Sequence, residues 1–267
     1  MSYSKAEALF EKYVEPFDTT IDDKMKLRYE HTYKTVTMSE ALATNIGLDE
    51  EGIEISKIIA LFHDIGRFLQ IKDFDHYSDH KSFDHADYSD FILTENNFLE
   101  KCFLEQKWWP IIQKAVKNHN KYKIEENLTQ EELLYARVIR DVDKLDILNT
   151  SIMNNLESLV KKPDGPLSPE AFNDFMNCTS VTNRYVRTKL DSALSKLAFI
   201  FDINFIWSLN YMIENKYIDA IIDKMSNSAE IDPEQMNQIK ECVNSYIKRR
   251  IGNGDFHIAG TTLKTKG

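Results

Sequence analysis

The sequence predicts an all-α protein. Three observations point to this class: apolar residues recur at helical spacing along most of the chain, no stretch shows convincing strand alternation, and only 8 Gly and 6 Pro occur among 267 residues. Hydrophobic residues make up 42% of the sequence, so the chain can bury a sizeable core. We expect a single helical domain over residues 1–267, without internal repeats or low-complexity tracts.

The first predicted elements are two helices. A short helix over 4–15 is followed by a longer one, which begins near the capping side chains Thr19, Thr20 and Asp22 and runs to about 46–47.

The middle of the chain is predicted to alternate helices with one long loop. Asp49 can cap a third helix, whose apolar pattern stops at Gly66. Residues 70–84 are polar and aromatic without clear periodicity, which predicts a loop. Thr129 and Glu132 have the spacing of a capping box and open a helix that runs to about 148. Between the loop and this box, further helices are predicted over 85–95, 98–105 and 108–119.

Beyond this point the chain has one obvious break, with three prolines and a glycine in residues 161–169. Helical patterns follow over 168–177, 188–214, 215–226 and 233–251, and the tail from Gly252 is expected to fray. The apolar stretch 192–221 is typical of a core helix pair. It can instead form one wall of a binding pocket, with Arg184, Tyr185 or Arg187 nearby.

Composition excludes several classes of function. Lys and Arg total 33 against 43 Asp and Glu, a formal charge of −10, so we expect no binding of polymeric nucleic acid, which requires many phosphate contacts. Three widely spaced cysteines indicate no disulfide framework. The N-terminus lacks the apolar region of a signal peptide, and no apolar run reaches the length of a membrane span. We therefore expect a cytoplasmic protein without a membrane partner.

Histidines and aspartates carry the chemical signal. Five of the seven histidines fall between residues 63 and 119, and His63 directly precedes Asp64 at the end of an apolar helix. Adjacent helical side chains point about 100° apart, so this pair can converge on one ion only near a helix end, which Gly66 allows, or where the two side chains meet the ion from the side. His31 and Asp143 each lie within a predicted helix. Taken singly, each residue has an ordinary structural explanation, and only their combination indicates a metal site.

The order His31, His63-Asp64, Asp143 resembles the HD superfamily of metal-dependent phosphohydrolases. "HTYKTV" is similar to its first-helix motif, "IIALFHDIGRF" to the signature stretch, and "VIRDVDKLDIL" to the closing motif, in which Asp143 rather than Asp141 matches the ligand. The resemblance implies an HD-domain helical bundle over about 24–150, with a C-terminal helical extension over about 166–251.

The resemblance also implies a second metal position. In one branch of the superfamily two further histidines lie between the signature and the closing aspartate, and His85 and His119 match them. His85 can alternatively cap a helix or support a ligand from outside the coordination shell. His119 can bind phosphate or donate a proton in a one-metal site. His76 and His80 are predicted to be exposed, and His257 to be incidental.

This ligand set predicts a particular chemistry. Imidazole together with carboxylate suits Mn, Fe, Co, Ni or Zn better than Mg, and only Asp64 of the signature pair has two donor atoms that can bridge two ions. Two such ions can activate a shared water, and the resemblance implies that the reaction is hydrolysis of a small phosphoester, such as a nucleotide, through a metal-bound hydroxide. Arg67 and Lys117 are the basic residues predicted to bind the substrate phosphate or to protonate the leaving group.

Two other classes of function are open from the sequence. A di-iron oxygenase is the alternative enzyme, because myo-inositol oxygenase and related phosphonate-cleaving enzymes use the same six-ligand pattern. A non-catalytic binding protein is disfavoured, because all expected ligands are present. The residues Ile65 to Phe68 lack the acidic pair of alarmone hydrolases. No GYP motif of the cyclic-dinucleotide phosphodiesterases follows His119.

Overall fold

The computed structural model describes residues 2–19, 22–102, 104–154 and 162–252. Within these ranges the chain forms helices joined by turns and contains no strand, which confirms the predicted class. The α-helices are α1 Ser2–Val14, α2 Asp23–Asn45, α3 Glu50–Phe62, α4 Gly66–Phe74, α5 His85–Glu95, α6 Phe98–Lys101, α7 Trp108–Asn118, α8 Gln130–Met153, α9 Pro169–Met176, α10 Lys189–Leu197, α11 Ile206–Glu214, α12 Tyr217–Ser226 and α13 Pro233–Gly252. Short 3₁₀ helices cover Asp79–Lys81, Asn183–Tyr185 and Ala198–Phe201.

Several helices begin where a side chain satisfies the first backbone N–H groups. Asp22, Asp49 and Asp84 accept hydrogen bonds from N–H groups two or three residues further along the chain. At the start of α8, Glu132 N–H donates to Thr129 Oγ1 at 3.2 Å, and Thr129 N–H donates to Glu132 Oε2 at 2.7 Å. The predicted caps at Asp22 and Asp49 and the capping box are therefore confirmed.

Two predictions about the segment after the signature motif are wrong. Helix α3 ends at Phe62, and Gly66 begins α4 instead of ending a helix. Since α4 continues to Phe74, residues 70–74 of the predicted loop are helical. Polar residues in this stretch suggest an exposed loop, but Gln70 is a fully buried amide. Its side chain donates hydrogen bonds to Ser82 and Phe83 in the loop that follows.

Gly66 is required for the close approach of α4 to α5. A Cβ atom at this position would lie 2.7 Å from the carbonyl oxygen of His85 and 3.0 Å from the backbone nitrogen of Ser89. The Gly66 N–H donates to Ser89 Oγ at 3.0 Å. The glycine therefore brings the first turn of α5, and with it His85, next to the His63-Asp64 turn.

The chain divides into two compact units, Met1–Asp143 and Lys144–Gly267. In the first unit α2 packs along α3, where Ser39 Oγ donates to the carbonyl of Ser56 at 2.9 Å. Phe10, Phe62 and Phe68 are fully buried in its core. The interpretation of the whole chain as one domain with an extension stays a prediction.

The second unit contains the predicted C-terminal helices with one correction. The predicted helix over 188–214 is divided into α10, a 3₁₀ turn and α11. Arg250 Nη2 donates to the carbonyl of Ile203 at 3.0 Å, so this carbonyl bonds to a side chain of α13. Each of these three elements buries large apolar side chains. The apolar pattern is therefore continuous along the sequence, which is why it predicts one helix.

The proline-rich break is confirmed over residues 162–168, which have no regular structure. Residue 161 and the tail from residue 253 lie outside the described residues. No helix in the described ranges combines the length and the apolar character that crossing a membrane requires.

Candidate metal centre

His63 and Asp64 lie in the short turn between α3 and α4. The His63 N–H still donates to the carbonyl of Ile59 at 2.9 Å, so the histidine completes α3 as its C-terminal cap. This turn lets two adjacent side chains point to the same place, and His63 Nε2 lies 3.6 Å from Asp64 Oδ2. The position at a helix end is the one that the sequence predicts for a shared ion.

We call His31, His63, Asp64 and Asp143 the first group. His31 Nε2 lies 3.2 Å from His63 Nε2 and 3.2 Å from Asp143 Oδ1. Asp64 Oδ2 lies 3.7 Å from His31 Nε2. Donor atoms about 2.1 Å from one ion and at right angles to each other are about 3.0 Å apart, so these separations suit ligands of a common cation.

We call Asp64, His85 and His119 the second group. His85 is the first residue of α5, and His119 caps the C-terminus of α7. Their Nε2 atoms are 3.0 Å apart, and Asp64 Oδ1 lies 3.2 Å from His85 Nε2 and 3.4 Å from His119 Nε2. Asp64 thus turns Oδ2 to the first group and Oδ1 to the second, so the two buried His/Asp clusters share one carboxylate.

The hydrogen bonds of the imidazoles determine which ring nitrogen carries the proton. His63 Nδ1 lies 2.7 Å from the carbonyl of Ala60, and His119 Nδ1 lies 2.7 Å from the carbonyl of Val116. A carbonyl oxygen only accepts, so each Nδ1 is the donor and each Nε2 presents a lone pair. His85 Nδ1 lies 2.7 Å from Asp79 Oδ2, which assigns the same tautomer to His85.

These lone pairs converge on the carboxylate of Asp64, and the Arg67 guanidinium also reaches this space, with its Nη2 3.2 Å from His85 Nε2. Asp64 Oδ1 is buried and has no hydrogen-bond partner among the described residues. Burying an unpaired carboxylate oxygen against imidazole lone pairs is costly unless a cation compensates for it. Divalent metal ions with mixed nitrogen and oxygen ligands fit this donor set.

The pKa shifts agree with neutral imidazoles and charged carboxylates. Burial lowers the pKa of His63, and burial together with the charge of Arg67 lowers the pKa of His85 to about 4. Burial alone would raise the pKa of Asp64, but the positive charge of the Arg28 guanidinium outweighs it and holds the pKa well below its usual range. Metal ligation requires these protonation states.

Two guanidinium groups flank Asp64. Arg28 lies one turn before His31 on α2, and its Nη1 contacts Asp64 Oδ2. The Tyr77 ring lies 5.2 Å from the Arg28 guanidinium carbon, and Tyr77 Oη is anchored by donation to the carbonyl of Lys24 at 2.9 Å. Arg67 places its Nε 3.7 Å from Asp64 Oδ1. The sequence motifs point to Arg67 but not to Arg28, although Arg28 lies three residues before His31 and therefore on the same side of α2.

Asp79 and Gln70 are further residues that sequence reasoning missed. Asp79 Oδ1 accepts hydrogen bonds from Arg67 Nη1 at 2.9 Å and from Gln70 Nε2 at 3.0 Å. Gln70 Oε1 in turn accepts from Arg67 Nη1 at 2.5 Å. Both residues fall within 70–84, where the absence of periodicity concealed this buried network.

The remaining basic residues and histidines that the structure describes do not contribute donor atoms to the two groups. Lys117 is half-exposed, with its Nζ 3.7 Å from Asp90 Oδ2, and its substrate-binding role stays a prediction. Arg140 is buried and donates to the carbonyls of Asn118 and Lys121, so it holds the turn that carries His119. Among the remaining histidines, His80 is exposed as predicted and His76 is half-buried. His257 lies outside the described residues.

Comparison with known proteins identifies the part of the chain that carries this geometry. Residues 28–148 match the model of the HD domain. Comparisons with curated proteins and with solved structures give no match. The matched span begins at Arg28 and contains all six predicted ligands. Residues 28–148 are therefore an HD domain, which is the family that the motifs in this part of the chain resemble.

Proposed function

We propose that this protein hydrolyses a small phosphoester, such as a nucleotide, with two divalent transition-metal ions held by the first and second groups. The observation that carries the proposal is the orientation of Asp64, whose two oxygens face two different histidine pairs. Each ion would have about three or four protein ligands, which leaves positions for water and substrate. Mn, Fe, Co, Ni and Zn all suit these donors.

The ions, when bound, would lower the pKa of a water molecule toward neutrality and offset charge on the phosphoryl oxygens. The chain's own residues organise the site around them. Carbonyls of Ala60 and Val116 hold the rings of His63 and His119, and the low pKa of Asp64 keeps its carboxylate charged. His63, His119 and Asp64 are therefore already in the protonation states that bind a cation.

Arg28 is the residue to which we assign binding of the substrate phosphate. Its Nε is buried and has no hydrogen-bond partner in the described part of the chain, although its Nη1 contacts Asp64. A guanidinium with an unused N–H beside the metal ligands can bind phosphoryl oxygens in a forked arrangement. Arg67 Nε likewise has no hydrogen-bond partner among the described residues, but its Nη1 donates to Gln70, Tyr77 and Asp79. Its Nη2 lies 3.2 Å from His85 Nε2. We therefore assign phosphate binding first to Arg28 and second to Arg67.

Hydrolysis predicts phosphate release without oxygen. We expect Mn- or Ni-loaded protein to release phosphate anaerobically from a nucleotide panel or from an aryl phosphate, because the reaction requires only water. The measurement is colorimetric phosphate detection, with protein stripped of metal as the control. If the metal-loaded protein releases no phosphate from a broad phosphoester panel, and turnover requires iron and dioxygen, hydrolysis is the wrong assignment and the protein is an oxygenase.

The two groups predict two ions. We expect elemental analysis of Mn-saturated protein to give about two ions per chain, and about one for the His85→Ala, His119→Ala double variant, because only the second group loses its imidazoles. The single variant His80→Ala, which changes an exposed histidine of the same region, should keep the wild-type content. A wild-type protein that never exceeds one ion would contradict the dinuclear site.

A further inference from the structure

His85 differs from His63 and His119 in the hydrogen-bond acceptor that holds its imidazole ring. His63 and His119 each stand at the end of a helix, where the carbonyl three residues earlier accepts from Nδ1. His85 is the first residue of α5, so no preceding helical turn offers it a carbonyl. A side chain replaces that carbonyl: His85 Nδ1 lies 2.7 Å from Asp79 Oδ2.

We propose that Asp79 is a positioning residue that determines the affinity of the second group for its ion. The proposal rests on the proposed function, since it concerns the same pair of ions. By accepting from Nδ1, Asp79 keeps the proton away from Nε2, which then presents its lone pair beside Asp64 Oδ1. A carboxylate behind a metal-binding imidazole fixes the ring and increases its basicity.

Asp79 is itself held on three sides. Its Oδ1 accepts from Gln70 Nε2 at 3.0 Å and from Arg67 Nη1 at 2.9 Å. Its Oδ2 accepts from Asn120 Nδ2 at 3.3 Å, and Asn120 directly follows His119. Gln70 is fully buried and also donates to the carbonyl of Phe83 at 3.1 Å. The network therefore connects both histidines of the second group to the segment between α4 and α5.

Asp79, Asp84 and His85 also lie close enough together to suggest a third ion, but their charges are already compensated. Lys121 Nζ lies 2.6 Å from Asp84 Oδ2, and Asn120 Nδ2 donates to Asp84 Oδ1 at 2.9 Å. The His85 nitrogen on this side carries a proton, which repels a cation. Asp79 consequently acts on the second group through His85.

This arrangement makes the two groups unequal. The first group takes His31 from α2 and Asp143 from α8, and the carbonyl of Ala60 in α3 holds the ring of His63, so helices fix three of its four donors. In the second group, the His85 ring depends on a single residue of a 3₁₀ turn, Asp79–Lys81. Loss of Asp79 should therefore weaken the binding of one ion and leave the other unchanged.

The test is titration of the full-length protein with Mn(II), monitored by free-ion measurement and by electron paramagnetic resonance. For Asp79→Ala we expect the second-ion affinity to fall about 10- to 100-fold, with first-ion affinity within about twofold of wild type. Asp79→Asn should lose less, because its amide oxygen can still accept from His85 Nδ1. The spectrum should change from that of a coupled ion pair to that of isolated Mn(II). Asp87→Asn, which removes an exposed carboxylate from α5, is the matched control and should bind both ions as the wild type does.

The outcomes separate this inference from the proposed function. Unchanged second-ion binding in Asp79→Ala overturns the inference alone, and so does an equal loss of both ions, which would indicate a general structural role. A wild type that binds one ion overturns both the inference and the dinuclear site. Phosphate release by the wild type is measured independently, so a failure of hydrolysis with normal ion binding affects only the proposed reaction.

Discussion

Asp64→Asn should abolish turnover, with kcat/KM falling by about 10³-fold or more, which corresponds to about 4 kcal/mol of lost transition-state stabilisation. The substitution keeps the shape of the side chain and removes the negative charge that both histidine pairs face. An amide can offer one oxygen to one ion, but its nitrogen cannot bridge to the other. Metal content should therefore fall together with activity.

Asp64→Asn also leaves the Arg28 guanidinium buried without its carboxylate partner, so its effect on folding must be measured separately. Circular dichroism and thermal melting of the same sample serve this purpose. Asp22→Asn is the matched control, because asparagine caps a helix as well as aspartate does, and we expect activity within about twofold of wild type. Folded Asp64→Asn protein with near wild-type turnover and full metal content would show that the site is misassigned.

Removal of the metal should lower the melting temperature by about 5–10 °C. The proposed ligands come from α2, α5 and α8 and from the turns after α3 and α7, so the complete site exists only in the folded chain. A ligand present at about 100 times its Kd stabilises the native state by about 2.7 kcal/mol, and each kcal/mol shifts the melting temperature of a protein of this size by about 2–4 °C.

Differential scanning calorimetry before and after chelation measures this shift. Chelator saturated with metal in advance is the control, and adding Mn(II) back should restore the original melting temperature. The folded Asp64→Asn variant should respond less, because it retains less metal. Unchanged melting after chelation, together with no metal by elemental analysis, would contradict the metal centre.

Local sequence patterns determined most of the helices. Caps such as Asp22 and Asp49, and the box formed by Thr129 and Glu132, act within one turn of their own helix, so they can be found without knowledge of the fold. The predicted start of α5 at His85 is also correct. Prediction failed at 70–74, since the buried amide of Gln70 is stabilised by partners that only the folded loop supplies.

The order of the histidines and aspartates in the sequence also determined the candidate ligands, because side-chain chemistry and a resemblance of motifs are readable along the chain. The direction in which each atom points is not readable there. Only the tertiary structure turned Oδ2 of Asp64 to His31 and His63, and Oδ1 to His85 and His119. Only the tertiary structure placed Arg28 against Asp64 and Asp79 behind His85. These contacts join residues from different helices and turns, and their distances depend on how α2, α4 and α5 pack, which periodicity within any one helix does not encode.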